Sequence, residues 1–225
     1  MTTPSSLLSS IPQTTLEEQS LERLREAIIG GAFQPGSQIN PALLAANLGV
    51  SRGTIRSALS KLEEEGLVVN LTHKGSFISR LDQQTVRDIY GVREALETYA
   101  VHEAVPRCNA QDIEEMRSIF ETMQRSSKIG DVSDMIRNDL NLHAFFIRHS
   151  GNEVLQQIWY SLEVRIRWLL SYRYFSFPYL QDMADSHILL VRYTEENKPD
   201  QAADIIRRHI CEARDDILNR WSELK

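Results

Sequence analysis

The chain has 225 residues, 42% of them hydrophobic, which is enough for one large domain or two modest ones. Two cysteines exclude a disulfide scaffold and a zinc site of paired Cys-x-x-Cys motifs, and no apolar run reaches the roughly 18 residues that a membrane span needs. The net charge of -6 argues against nucleic acid as a partner of the whole chain, but residues 1–80 carry seven basic and seven acidic side chains, so the acidic excess lies in 81–225. We expect a cytoplasmic protein with reduced thiols.

Three composition regimes divide the chain. Residues 1–15 are uncharged and rich in Ser, Thr and Pro, and we expect a flexible arm there rather than a secretory signal. Residues 16–80 have the signals of helices followed by two short strands, whereas 81–225 have those of helices only. We therefore expect an N-terminal domain over 16–80 and a second, larger domain over 81–225.

The segment 16–80 contains the start and stop signals of three helices and a hairpin. Apolar residues recur at helical spacing until Gly30-Gly31 ends the run. Pro41 suits the first turn of a second helix, Gly49 stops it, and Ser51 is placed to cap a third. The predicted helices span 16–29, 41–48 and 52–65, and the predicted strands span 67–69 and 76–78.

The segment 81–225 shows helical periodicity throughout and none of the alternation typical of strands. Breaks fall at turn-forming residues such as Pro106, Gly130 and Pro199. The predicted helices span 83–104, 110–127, 131–149, 153–174, 178–196 and 200–223. The whole chain is thus predicted to be mainly α, with an all-α helical bundle at its C-terminal end.

Residues 43–59 have the spacing of a helix-turn-helix. Ala45 is small where two helices would cross, Gly49 can adopt the positive φ of a tight turn, and Ile55 returns an apolar side chain to the same junction. The spacing alone is only moderately specific, because antiparallel helix pairs are common. With the hairpin after it, the segment is predicted to be a winged helix-turn-helix.

The third predicted helix would present a face suited to DNA. Arg52 and Arg56 are four residues apart and project from one side near its N-terminus, where recognition helices meet base edges. Arginine can form two hydrogen bonds with guanine, whereas the shorter Ser51 and Thr54 suit phosphates. The alternative is an ordinary solvated helix face that carries two arginines.

Short motifs cover nearly all of 16–80. They are Leu44-Ala45-x-x-Leu48-Gly49-Val50-Ser51-Arg52, Leu62-Glu63-x-x-Gly66-Leu67-Val68 and Gly75-Ser76-Phe77. In combination they resemble the GntR family of winged-helix repressors. The resemblance implies that Arg52 and Arg56 contact the operator, and that Gly75 lets the wing, with Lys74 at its tip, approach DNA. The chain departs from the family at Ala42, where a DNA-contacting arginine is common.

Four residues of the helical segment have the spacing of a metal site. Asp139 and His143 are four residues apart and share a helix face, whereas His187 and His209 each lie 11 residues from Lys198. If the helices on either side of Lys198 pack antiparallel, the two histidines lie at the same level. One Asp and three His suit Zn, Ni, Mn or Fe. The alternative is that all four are ordinary core or surface groups.

Three further motifs lie in 81–225. They are Val92-Arg93-x-x-Leu96-Glu97, Asp139-Leu140-Asn141-Leu142-His143 and Arg207-Arg208-His209. They resemble the FCD effector domain of the FadR-like GntR subgroup, which implies that the Asp/His₃ set binds a divalent metal, with zinc as the first candidate. A small carboxylate would bind the metal and an arginine, for which Arg93 is the first candidate and Arg165 a weaker one. The alternatives are that Arg93 pairs with Glu97 and that Arg165 lines the outside of its helix.

Together these features predict a homodimeric, ligand-responsive repressor. It would bind a palindromic operator in double-stranded DNA and control genes for the uptake or catabolism of a small carboxylate. A metal-dependent enzyme and a regulator with a purely structural metal are the alternatives. We expect no enzyme, because no His-Glu motif beside the predicted ligands supplies a general base.

Overall fold

The computed structural model describes residues 15–176 and 179–221, and the side chains of all of these except 172–176. Contacts within the chain divide it into two compact units, Met1–Ser79 and Arg80–Lys225, called here the N-terminal unit and the C-terminal unit. Of the predicted arm 1–15, only Thr15 lies within the described residues.

The N-terminal unit consists of three helices and a hairpin. They are α1 (Leu16–Ile29), α2 (Pro41–Leu48), α3 (Arg52–Glu64), β1 (Val68–Leu71) and β2 (Gly75–Ile78). The strands are antiparallel, with Val68 opposite Ile78 and Leu71 opposite Gly75. The predicted winged helix-turn-helix is therefore confirmed, with each strand shifted or extended by one or two residues at its ends.

Local signals fix the ends of these helices. Thr15 and Glu18 form a reciprocal capping box at the start of α1. The Ser51 hydroxyl accepts a hydrogen bond from the Thr54 backbone N–H at 3.0 Å, which confirms the predicted cap of α3. Gly49 has a φ of 67°, a left-handed conformation that closes α2 and allows the sharp turn into α3.

Helix α3 is the centre of the N-terminal core. It packs against α1, α2 and β1, and it buries Ile55, Ala58 and Leu62 completely. Because this apolar side faces inward, the arginines on the opposite side of α3 are held at the surface.

The described residues of the C-terminal unit form helices joined by short turns and loops. Its helices are α4 (Gln83–Ala104), α5 (Ala110–Ile129), α6 (Val132–His149), α7 (Glu153–Ser176), α8 (Leu180–Asp185), α9 (Ile188–Glu195) and α10 (Pro199–Asn219), with a short 3-10 turn at Val105–Arg107. Helix α6 packs against α4, α5, α7 and α8, and α10 packs against α4 and α9. The predicted all-α bundle is confirmed, and none of its described helices combines the length and apolarity that a membrane span requires.

The prediction of one continuous helix over 178–196 was wrong. Within the described residues this stretch forms two helices, α8 and α9, separated at Ser186 and His187. The Ser186 hydroxyl donates to the Met183 carbonyl at 2.6 Å, and Nδ1 of His187 lies 3.1 Å from the same oxygen. Side chains that bond to a nearby carbonyl compete with the helical ladder, so the helix ends here. The break turns the His187 ring into the interior.

Candidate metal centre and DNA-reading surface

Asp139, His143, His187 and His209 converge in the C-terminal unit. Each offers one ligand atom, and these four atoms all lie within 4.8 Å of one another. Asp139 and His143 come from α6, His187 from the junction of α8 and α9, and His209 from α10. The first three side chains are buried and His209 is half-buried. The structure thus brings together the four residues that the sequence predicted as one set.

The separations of these atoms fit a metal ion. Nε2 of His143 lies 3.4 Å from Nε2 of His187, which lies 3.5 Å from Oδ1 of Asp139. Ligands about 2.0–2.1 Å from a tetrahedral ion stand about 3.3–3.4 Å apart. In addition, Oδ2 of Asp139 is buried without a hydrogen-bond partner among the described residues. A divalent cation would supply the partner that this buried oxygen lacks.

The histidines are oriented so that Nε2 is the candidate ligand atom. Nδ1 of His187 faces the Met183 carbonyl, Nδ1 of His209 lies 3.1 Å from Oγ of Ser186, and Nδ1 of His143 contacts the Glu97 carboxylate. Burial lowers the pKa of His187 to about 4, although the negative charge of Asp139 acts to raise it. This imidazole is therefore neutral near pH 7, as metal binding requires.

Glu97 is a residue of the site that the sequence did not reveal. Its carboxylate accepts hydrogen bonds from Nε of Arg93 at 2.6 Å, from Nε1 of Trp159 at 3.0 Å and from Nδ1 of His143. Burial alone would raise the pKa of Glu97, but the charge of Arg93 and the hydrogen bonds that the carboxylate accepts hold it well below its usual range. From the sequence, Glu97 was predicted only as an alternative ion-pair partner of Arg93, and the structure contains that ion pair.

A cavity of about 280 Å³ lies beside the Asp/His₃ cluster. Arg93, Asp139 and His209 all line it. Nη2 of Arg93 is buried and has no hydrogen-bond partner among the described residues. Four other charged residues line the cavity: Asp182, Glu212, Asp216 and Arg220. Arg165, the weaker sequence candidate, lies half-buried on α7 and is not among the described lining residues.

The predicted DNA-reading residues lie on the N-terminal unit. Arg52 and Arg56 are exposed on the same side of α3, in its first two turns. Ser51 is exposed and Thr54 half-buried, and their side-chain oxygens lie 2.9 Å apart. The Ser51 hydroxyl therefore caps α3 and also contacts the Thr54 hydroxyl in the first turn of the helix.

The hairpin tip has a defined conformation. Lys74 is exposed between β1 and β2, and its carbonyl accepts a hydrogen bond from Nε2 of Gln38 at 2.8 Å. Gly75 has a φ of 94°, a conformation that residues with a side chain rarely adopt. The tip is thus held by the loop before α2, with the Lys74 side chain directed away from the core.

This architecture defines a class of protein: a DNA-binding regulator with a winged helix-turn-helix and a separate helical domain. The family model described as bacterial regulatory proteins, gntR family, matches residues 16–78, and the FCD domain model matches residues 88–212. The chain belongs to the GntR family of bacterial regulatory proteins, in the FadR-like subgroup that carries an FCD effector-binding domain.

Known relatives agree with this assignment. The chain is 31% identical to the Nta operon transcriptional regulator of Aminobacter aminovorans over 83% of this chain and 87% of the relative. It is 25% identical to the gluconate operon transcriptional repressor of Bacillus licheniformis, over 89% and 83% of the two chains. Escherichia coli McbR/YncC has the same fold, with a TM-score of 0.78 and 21% identity over 93% of this chain and 100% of its own. The two relatives compared by sequence are named as a transcriptional regulator and a transcriptional repressor, in agreement with the expectation of a regulator rather than an enzyme.

Proposed function

We propose that this regulator is a repressor that responds to a small carboxylate, bound beside a divalent metal in the C-terminal unit. The observation that carries the proposal is the side chain of Arg93, which lines the same cavity as Asp139 and His209 and whose buried Nη2 has no hydrogen-bond partner among the described residues. A buried guanidinium N–H without a partner is costly, and an anion in the cavity would supply that partner.

The chemistry of the site favours a small hydroxy-carboxylate. Asp139 and the three histidines would hold the ion with four protein atoms, and a divalent metal that takes more than four ligands leaves positions that a carboxylate and a neighbouring hydroxyl can fill. Asp182, Glu212 and Asp216 also line the cavity and would repel an anion of higher charge. The relative named for the gluconate operon supports this class, because gluconate is a hydroxy-carboxylate.

The DNA-binding part of the proposal assigns two kinds of contact. Arg52 and Arg56 would read base edges in the major groove, and Ser51, Thr54 and Lys74 would contact phosphates. Gly75 would let the wing backbone approach DNA. A homodimer would present two α3 helices to the half-sites of a palindrome.

Regulation requires that the carboxylate bind the DNA-competent and DNA-incompetent states with different affinity. The decisive experiment titrates glycolate, lactate and gluconate into the metal-loaded full chain by calorimetry. The same acids are then added to a gel-shift assay with a duplex that the protein selects from a random-sequence pool. We expect at least one of these acids to bind and to change DNA affinity.

Arg93→Lys tests the anion site itself. Lysine keeps the charge beside Glu97 but loses the planar fork that reaches the cavity. We expect carboxylate binding to weaken about 10-fold to 100-fold, the range of a hydrogen bond to a charged group. Arg87→Lys, an exposed arginine on the same helix, is the matched control and should bind as the wild type does.

Two results would contradict the proposal. If none of the acids changed the DNA affinity of the loaded protein, it would not be a carboxylate sensor. If Arg93→Lys bound the acid as tightly as the wild type, the anion would lie elsewhere.

A further inference from the structure

We propose that Glu97 is a positioning residue shared by the metal site and the carboxylate site. It orients His143 toward the ion and at the same time fixes the guanidinium of Arg93. This inference rests on the proposed metal and carboxylate sites of the C-terminal unit, and it concerns a residue that contacts neither ligand directly.

The two carboxylate oxygens of Glu97 have different partners. Oε2 contacts Nδ1 of His143 on α6, whereas Oε1 accepts hydrogen bonds from Arg93 on α4 and from Trp159 on α7. The Glu97 side chain is 2% exposed and that of Arg93 is 1% exposed. One buried carboxylate on α4, shielded from bulk solvent, therefore connects α4, α6 and α7 through three donors.

The contact with His143 decides which ring nitrogen faces the cluster. Because Nδ1–H donates to Glu97, the lone pair of His143 is on Nε2, which lies 3.9 Å from Oδ2 of Asp139. A carboxylate partner also makes an imidazole a stronger metal ligand. Nδ1 of His187, by contrast, lies 3.1 Å from the uncharged Met183 carbonyl oxygen. The ligand strength of His143 thus depends on a carboxylate.

The hydrogen bond between Glu97 and Arg93 acts on the proposed carboxylate site. The hydrogen bond from Nε to Oε1 restrains the guanidinium of Arg93, which lines the cavity and whose Nη2 has no partner among the described residues. A displacement of the Glu97 carboxylate therefore moves both His143 and Arg93. The metal and the carboxylate are coupled through this residue in addition to any direct bond between them.

A merely structural role for Glu97 makes a different prediction. If Glu97 only neutralised Arg93, its replacement would lower the stability of the fold but leave the affinity of the folded protein for metal unchanged. Metal affinity and the spectrum of the bound ion therefore separate the two roles.

The experiment measures Zn²⁺ binding to metal-free full-length protein by competition with a chromophoric chelator, and the absorption spectrum of Co²⁺ in the same site. We expect Glu97→Gln to bind Zn²⁺ about 10-fold to 100-fold more weakly than the wild type, the usual cost of removing such a partner, and to change the Co²⁺ spectrum. Glu94→Gln, three residues earlier on α4 and near Arg214, is the matched control and should leave both readouts unchanged.

Glu97→Asp covers the case in which the Gln variant does not fold. It keeps the charge beside Arg93 but withdraws the carboxylate from His143 by one methylene group. We expect a folded protein with weaker Zn²⁺ binding, and weaker carboxylate binding even at saturating Zn²⁺. If either variant folded and kept wild-type Zn²⁺ affinity and Co²⁺ spectrum, Glu97 would not be a positioning residue. If the wild type bound no Zn²⁺ or Co²⁺, the proposed metal function would fail instead.

Discussion

At the scale of the residue, an arginine on a recognition helix can act in two ways. Contacts with base edges discriminate between sequences, whereas contacts with phosphates strengthen binding to every sequence. Arg52 and Arg56 are both exposed at the N-terminal end of α3, the position from which a helix reaches base edges. Their placement is compatible with either contact. The effect of a substitution on affinity must therefore be measured with both a selected and a random duplex.

Arg52→Ala is expected to weaken binding to the selected duplex by about 1–3 kcal/mol, because the loss of a two-hydrogen-bond contact with guanine removes that much discrimination. Binding to a random duplex should change much less. Fluorescence anisotropy with both duplexes at one salt concentration measures the two effects.

The control for Arg52 is Arg23→Ala, which removes an exposed arginine from α1 and should leave the preference between the two duplexes unchanged. Equal losses on both duplexes in Arg52→Ala would place that side chain on phosphate instead.

At the scale of the element, the turn between α2 and α3 depends on backbone conformation rather than on packing. A Cβ at Gly49 would meet no heavy atom within 4 Å, yet its φ of 67° is one that other residues rarely adopt. Gly53 lies four residues later, inside α3, and a Cβ there would lie 3.5 Å from Oγ of Ser51. Both positions have room for a methyl group, so the two glycines differ mainly in backbone conformation.

Gly49→Ala is expected to destabilise the N-terminal unit by about 1–2 kcal/mol, the cost of a left-handed conformation for alanine. Gly53→Ala should stabilise it by about 0.5–1 kcal/mol, because alanine loses less freedom than glycine on entering a helix. Hydrogen exchange of peptides from 41–65 in the full chain measures both changes. Equal effects of the two substitutions would mean that the turn does not impose the left-handed conformation in solution.

The elements were largely predictable because their signals are local. Gly49, Ser51 and Pro199 mark helix ends through backbone conformation and capping, and these act within a few residues. The break between α8 and α9 was not predictable, since it arises from Ser186 and His187 bonding to the Met183 carbonyl, in a stretch whose apolar periodicity continues.

The candidate site was predictable only in part. His187 and His209 lie at equal distances from the turn at Lys198, and this symmetry indicated that their rings would meet; the ring centroids are 4.2 Å apart. The contact of Glu97 with His143 joins residues 46 positions apart and that with Trp159 joins residues 62 positions apart. No spacing rule on a single helix predicts such contacts; the i, i+4 spacing of Arg93 and Glu97 predicted only their ion pair.

At the scale of the whole molecule, the two units differ in whether their described residues include candidate metal ligands. The candidate ligands come from α6, α10 and the junction of α8 and α9, and Glu97 connects α4 and α7 to them. Among the described residues, the N-terminal unit contributes no ligand to this cluster. An ion that binds only the folded cluster stabilises the unit that holds it.

Removing the metal is therefore expected to loosen the C-terminal unit and leave the N-terminal unit unchanged. A metal at 100 times its Kd contributes about 2.7 kcal/mol, so chelation should raise amide exchange in α6, α9 and α10 but not in α1–α3. Hydrogen exchange of the full chain before and after chelation measures both units in one sample. His209→Ala, which lacks one candidate ligand, should respond to the chelator less than the wild type. Unchanged exchange around α6, or an equal increase in α1–α3, would show that the cluster does not bind a stabilising ion, because only the helices that share the ligands can lose its contribution.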